Sequence, residues 1–313
     1  MPLVDRLWCS ADIEQISDMS NHLTSSRRHS NGGFTLIELV VAMSVAVIVV
    51  AFMALFITAP VNAYQAQTRR AELVDATDGV LRLMTRDIHR ALPNSIRISN
   101  SGNLVALELL ETVDAGRYRD TDATATPDRE LDFAAADSSF ATLGPIEIPI
   151  DLATRPYYLS IYNVGVAGAN AYDLAHVITP PTSSIDISNS TPGQSLITIT
   201  PGFRFSYESP ANRVFLVSGP VTYLCDKTQG RVTRYDRYAI TSTQPTSDSH
   251  LVTSLGAVRG HVANDVSDCV FTYQPGASGR SALVTLELTV SREVGAQTER
   301  VRLLHQVHVE NVP

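Results

Sequence analysis

The chain has 313 residues, of which 44% are hydrophobic, and a formal net charge of −8 at pH 7. Its length and apolar content suffice for one substantial core or two small ones. The acidic balance disfavours general nucleic-acid binding, which needs clustered lysine and arginine side chains to release counterions from phosphates. No nucleic-acid partner is expected.

A long apolar run lies near the N-terminus. From Leu39 to Ile57 only Ser44 is polar. About 19–20 apolar residues in a helix cover the roughly 30 Å hydrocarbon core of a bilayer. The run therefore predicts a transmembrane helix. Glu38 stands directly before it, and a carboxylate in such a segment costs on the order of 2.5–3.5 kcal/mol, so we expect Glu38 to have a partner.

The residues before this run, Gly33-Phe-Thr-Leu-Ile-Glu38, resemble the class III signal of type IV pilins and type II secretion pseudopilins. The resemblance implies that prepilin peptidase cuts between Gly33 and Phe34 and methylates Phe34. It also implies that Glu38 pairs with the N-terminal amine of a neighbouring subunit during assembly. An ordinary signal anchor is the alternative interpretation.

Residues 1–33 are then a leader peptide, although its first part is acidic where a basic region is expected. A start at Met19 would leave a short leader containing Arg27 and Arg28. These arginines favour a cytoplasmic N-terminus before cleavage, which predicts a single-pass inner-membrane protein with a periplasmic globular part. Removing residues 1–33, which carry three arginines and four acids, leaves a net charge of −7.

The three cysteines fit this topology. Cys9 belongs to the leader, which leaves Cys225 and Cys269 as a pair in an oxidising compartment. A disulfide is predicted, with two buried free thiols as the alternative. Zinc is disfavoured because no second cysteine or histidine stands at ligand spacing near either residue.

A helix is predicted from about Thr35 to Leu92, with a hydrophobic half at 34–59 and an amphipathic periplasmic half at 60–92. Pro60 is expected to kink it, and Gly79 to weaken it. One apolar face, with arginine and aspartate opposite, recurs at spacings of three, four and seven: Leu73, Val80, Met84, Ile88 and Leu92. Pro93 ends the pattern.

Residues 93–313 predict a β-rich globular domain. The alternation at 282–290 and 301–309, linked around Gly295, predicts an antiparallel hairpin. The other predicted strands are Ile96–Ile98, Leu104–Leu110, Leu131–Phe133 and Ile146–Ile150. The segments predicted as surface loops are 120–128, 134–142, 179–193 and 241–250. The fold class is therefore α+β, with a long helix and an antiparallel β domain. The resemblance to pilins and pseudopilins implies that the helix packs on this domain and that the domain has two sheets.

The sequence contains no recognisable catalytic or cofactor motif. No catalytic residue, cofactor or metal is therefore predicted, and an enzyme is not expected. Asp120, Asp122 and Asp128 offer oxygen ligands for calcium, but the ligand series and turn glycine of a calcium loop are missing.

Further segments resemble minor pilins of mannose-sensitive haemagglutinin (MSHA) pili: Arg86–Ser95, Asp114–Arg119, Phe215–Cys225, Arg234-Tyr235 and Leu304–Pro313. The size and element order are also similar to J-type minor pseudopilins of type II secretion. The resemblance implies a role in pilus initiation, tip complex or assembly. The implied partners are prepilin peptidase, other minor pilins, the major pilin and the inner-membrane assembly platform. The alternatives are a secretion pseudopilin, an adhesin or DNA-uptake pilin, and a membrane-anchored periplasmic binding protein or enzyme.

Overall fold

The computed structural model describes residues 33–119, 129–276, 280–294 and 297–313. Residues 1–32 of the predicted leader, the Asp120–Asp128 calcium candidate and Gly295 lie outside these ranges. The described chain divides after Asn62 into two compact units. One long α-helix, a short 3-10 helix (Ala171–Asp173), a short π-helix (His250–Ser254) and two antiparallel sheets make up the described secondary structure, which confirms the α+β class.

Helix α1 (Leu36–His89) is slightly shorter than predicted and continues through Pro60 and Gly79. It ends before Leu92 because that residue joins the sheet: the Leu92 N–H donates to the carbonyl of Leu110 at 2.8 Å. The buried helix positions recur every three to four residues, so one stripe packs against the sheets. They are Leu73, Thr77, Val80, Leu81, Met84, Asp87 and Ile88.

The strands form two sheets. The larger sheet has the order β5-β6-β3-β2-β7-β8-β9, with β1 also pairing with β2 and β4 with β7. Its strands are β1 (Arg97–Ser101), β2 (Leu104–Tyr118), β3 (Asp137–Leu143), β4 (Tyr158–Ser160), β5 (Ser184–Ser188), β6 (Leu196–Phe203), β7 (Arg213–Asp226), β8 (Arg231–Asp236) and β9 (Val258–Ala263). The second sheet has the order β10-β11-β12, namely Val266–Pro275, Ser281–Val294 and Gln297–Glu310.

The C-terminal hairpin prediction is confirmed. β11 and β12 pair in antiparallel register, with Ala282 opposite Val309 and Val290 opposite Val301. The alternating apolar residues of both strands lie on one buried face, as a period of two requires. That face belongs to a core shared with the buried stripe of α1 and with β2 and β7 of the larger sheet.

Several strand and loop predictions are wrong. Segments 131–133 and 146–150 form no strand, although Leu131 and Ile146 are buried and contribute to the core without pairing. The predicted loop 134–142 contains most of β3, and the predicted loop 179–193 contains β5. Both strands have many serine and aspartate residues, and pairing with β6 holds them, over a long sequence separation for β3 and as an adjacent strand for β5. Their local composition does not reveal this pairing.

Candidate functional site: the helix N-terminus and its anchor

The N-terminal end of α1 is defined by a capping residue. Thr35 precedes the helix, and its hydroxyl and carbonyl oxygens both accept from the Glu38 N–H, at 3.3 and 3.1 Å. A threonine followed three residues later by glutamate is the pattern of a capping box. Because the helix begins at Leu36, Gly33 and Phe34 lie outside it and are exposed.

Glu38 lies in the first helical turn and is exposed. A negative charge is favourable there because the helix dipole places partial positive charge at its N-terminus. Within the described residues, no hydrogen bond or ion pair joins the Glu38 carboxylate to another side chain. The partner predicted for Glu38 is thus not supplied by the described part of this chain.

The helix that follows is long and apolar enough to cross a membrane, and its most apolar window of 18 residues has no buried side chain. The few hydroxyl groups in it are satisfied within the helix: Ser44 donates to the carbonyl of Val40 at 2.7 Å, and Thr58 to that of Ala54 at 2.8 Å. Such bonds lower the free energy cost of placing a hydroxyl group in the hydrocarbon core, where no water molecule is present to accept its hydrogen bond.

A buried ion pair fixes the C-terminal part of α1 to the larger sheet. The Asp87 carboxylate, 1% exposed, accepts from the Tyr223 hydroxyl at 2.7 Å and from Arg234 Nε at 2.8 Å. Burial and the negative charge of Asp87 raise the pKa of Tyr223. Burial acts to lower the pKa of Arg234, but its bonds to Asp87 outweigh that effect and raise it. Tyr223 therefore stays neutral and Arg234 stays charged.

Sequence reasoning missed this anchor. Its signal is an acid in the apolar stripe: Asp87 follows Val80 by seven residues and Met84 by three, which places it on the core face. A charge at such a position needs a buried counter-charge, since an uncompensated one would cost several kcal/mol. The location of that counter-charge, 147 residues away in β8, comes from the fold.

A second buried carboxylate lies on β2. Glu108 accepts from Arg97 Nε at 2.7 Å and from the Tyr238 hydroxyl at 2.9 Å. Burial raises the pKa of Glu108 above its ordinary value of 4.5, against the opposing effect of Arg97. The Arg97 guanidinium also lies over the Tyr172 ring, 3.6 Å from its centroid, and donates to two backbone carbonyls. Glu108 and Arg97 therefore hold the sheet to the segments that contain Tyr172, Tyr238 and residues 241–242.

The two cysteines outside the predicted leader form a disulfide. Cys225 of β7 is bonded to Cys269 of β10, so the bridge joins the larger sheet to the second sheet inside the shared core. Cys9 lies outside the described residues. Among those that are described, no group of three or more histidine, cysteine, aspartate or glutamate side chains is placed to hold a metal.

Comparison with known proteins locates one family motif. Residues 28–54 match the prokaryotic N-terminal methylation motif. No curated protein and no solved structure matches the chain.

The matched motif spans the predicted peptidase site, the helix cap and the first part of the apolar run. It indicates a type IV pilin-like or pseudopilin substrate of prepilin peptidase, in the context of pilus assembly. Together with one long apolar helix, it fits a membrane-anchored single-pass protein. The motif favours a structural role for the chain over an enzymatic one.

Proposed function

We propose that this chain is a minor pilin, cut by prepilin peptidase between Gly33 and Phe34, methylated on Phe34, and assembled into a complex that initiates or caps a type IV pilus. The observation that carries the proposal is the match of residues 28–54 to the N-terminal methylation motif. The exposed, non-helical position of Gly33 and Phe34 supports it, because cleavage needs backbone that is not held in a helix.

The proposed role of Glu38 follows from charge. Cleavage would create an amine on Phe34, which carries positive charge below its pKa of about 7.7–8.0. In a bundle of such helices, an amine on one subunit and Glu38 on the next would neutralise each other. Pairing would offset the cost of placing a carboxylate in the apolar layer. The small residues Ala42, Ser44 and Ala46 would permit close approach of the helices.

The finer proposal is a minor pilin of the MshO type in an MSHA-type pilus. It rests on the resemblance in the segments around Arg86, Phe215, Arg234 and the C-terminus. Several of these residues belong to the structural framework, including Asp87, Tyr223 and Arg234 of the buried anchor. Deletion of the gene, followed by separate assays of surface pili and of protein secretion, would test the pilus role against the pseudopilin alternative.

The experiment that tests the class is the mass and N-terminal sequence of the chain recovered from inner membranes with and without prepilin peptidase. We expect a chain beginning with methylated Phe34 only when the peptidase is present. An uncut chain in both strains would contradict the proposal and would favour the alternative interpretation, an ordinary signal anchor. Gly33→Val is the matched variant, because a side chain at Gly33 would meet no atom of the chain within 4 Å. Its expected failure to be cut would therefore report on the peptidase and not on folding.

A further inference from the structure

The second sheet has a long free edge. β12 (Gln297–Glu310) pairs with β11 on one side, and within the described residues no strand pairs with its other side. A free strand of 14 residues presents a row of backbone donors and acceptors that another extended chain can pair with.

Helix α1 runs beside this free edge. His305 of β12 contacts Asp78, with 3.3 Å between Nε2 and Oδ1, and further along Asn311 Oδ1 accepts from the Asn94 N–H at 3.2 Å. Glu310 and His89 also line one shared pocket. From Asp78 to His89 the helix rises about 16–17 Å, and from His305 to Glu310 a strand advances about 17 Å. The equal lengths mean that helix and strand run side by side.

The surface between them is a groove of about 580 Å³. Most of the residues that line it are arginines or histidines, namely Arg82, Arg86, His89, Arg90 and His305. The other two are Asp78 and Thr85. The Arg82 and Arg86 side chains are 76% and 63% exposed. Arg82 pairs with Asp78, whereas the acid nearest to Arg86 is Asp87, which is already bonded to Arg234. Within the lining of this groove, three arginines face one acid, Asp78, so the groove is basic on a chain whose net charge is −8. Arg90 also lines the neighbouring pocket, which contains Asp114 and Glu310.

The spacing of the arginines matches an extended chain. Arg82 and Arg86 stand four residues apart near the end of α1, and Arg90 follows directly after the helix. The backbone positions of Arg82 and Arg86 are therefore about 6 Å apart along the helix axis. In a strand, alternate side chains on one face are about 6.6–6.8 Å apart. Three acidic side chains at alternate positions would thus meet the three arginines in order. The side chains between them would point to the outer face of the second sheet, where Leu304 is 52% exposed.

We propose that this groove binds an extended acidic segment of a partner protein, which adds to β12 as a further strand. Acidic side chains at every second position contact Arg82, Arg86 and Arg90, and apolar side chains between them pack beside Leu304. Backbone pairing supplies affinity, and the arginine row selects an acidic segment.

The test uses the full chain in micelles of an uncharged detergent and a fluorescent peptide, Thr-Glu-Val-Glu-Val-Glu-Thr, with binding followed by anisotropy. The matched probes are the same peptide with lysine in place of glutamate and the same peptide with N-methylated amides at alternate positions. We expect each altered peptide to bind at least tenfold more weakly than the acidic one. Equal binding of the N-methylated peptide would overturn strand addition, and no binding of the acidic peptide at 1 mM would overturn the proposal.

The matched protein variants are Arg86→Glu, Arg90→Glu and Arg70→Glu, three charge reversals at exposed positions of one stretch of chain. We expect the first two to weaken peptide binding at least tenfold and Arg70→Glu, about 24 Å along the axis from Arg86, to weaken it less than twofold. Equal losses for all three would overturn the groove as the site. Self-association of the chain that the acidic peptide cannot displace would show that a second copy occupies the edge instead.

Discussion

Replacing Asp87 by alanine tests whether the buried ion pair holds α1 to the sheet. The change removes the acceptor of both Tyr223 and Arg234 and leaves a guanidinium that is 19% exposed without its principal partner. Removing one member of a buried pair costs about 3–5 kcal/mol. Because Arg234 keeps Asp236 as a second ion-pair partner, we expect the lower end, about 3 kcal/mol.

The expected loss is large enough to measure. For a domain of this size, 1 kcal/mol corresponds to about 2–4 °C, so Asp87→Ala should lower Tm by roughly 6–12 °C. The assay is thermal unfolding of the full chain in detergent, followed by circular dichroism at a fixed heating rate. Asp75→Ala is the matched control, because Asp75 is exposed on the same helix and the gain in helix propensity is the same.

Two results would refute the reasoning. One is a Tm for Asp87→Ala equal to that of Asp75→Ala, which would mean that the pair contributes nothing. The other concerns the double variant Asp87→Leu with Arg234→Met, which replaces the pair by apolar side chains. It should recover at least half of the lost stability, since a well-packed apolar pair often equals a buried ion pair. No recovery would place the loss in the packing of the helix rather than in an unpaired charge.

Three further variants probe other parts of the chain. Cys225→Ser opens a bridge with a sequence separation of 44, so it should cost about 4 kcal/mol in unfolding free energy and make Tm insensitive to reductant. Glu108→Gln removes a carboxyl group whose pKa in the folded protein is raised above 4.5. At pH values above 4.5, Glu108 is therefore protonated to a greater extent in the folded chain than in the unfolded chain. The stability of the wild type relative to Glu108→Gln should therefore fall as pH rises from about 4.5, measured by urea unfolding. Glu38→Ala should leave cleavage intact and reduce pilus assembly, measured by N-terminal sequencing and by counting surface pili.

Each of these expectations has a contrary outcome. A wild-type Tm that does not change with reductant would argue against a stabilising bridge. A stability difference between wild type and Glu108→Gln that grows with pH would mean that the pKa of Glu108 lies below 4.5. Normal piliation in the Glu38→Ala strain would remove the paired-charge role, and Glu38→Asp, which keeps the charge, serves as its control.

Patterns that are local in sequence were predictable. The apolar run from Leu39 to Ile57 leads directly to a helix, because its length and composition alone suit a membrane. The hairpin of β11 and β12 was predictable because a period of two places Val290 and Val301 on the same face. The candidate cleavage residues Gly33 and Phe34 were located by a motif that occupies consecutive positions.

Other features required contacts between separate segments of the chain. β3 and β5 were expected as loops because their serine and aspartate residues resemble turn sequences, and pairing with β6 makes them strands. Ile146–Ile150 has strand composition yet pairs with nothing as a strand among the described residues. Strand propensity is therefore decided by the available neighbours as much as by composition.

By itself, the sequence determined a helix long and apolar enough to cross a membrane, the N-terminal methylation motif and the α+β class, since each depends on composition or period over a few consecutive residues. Only the tertiary structure decided that Asp87 meets Arg234 and that the arginine row of α1 lies beside the free edge of β12. The physical reason is that charge pairing and edge pairing act through space, at separations in the chain that no local pattern records.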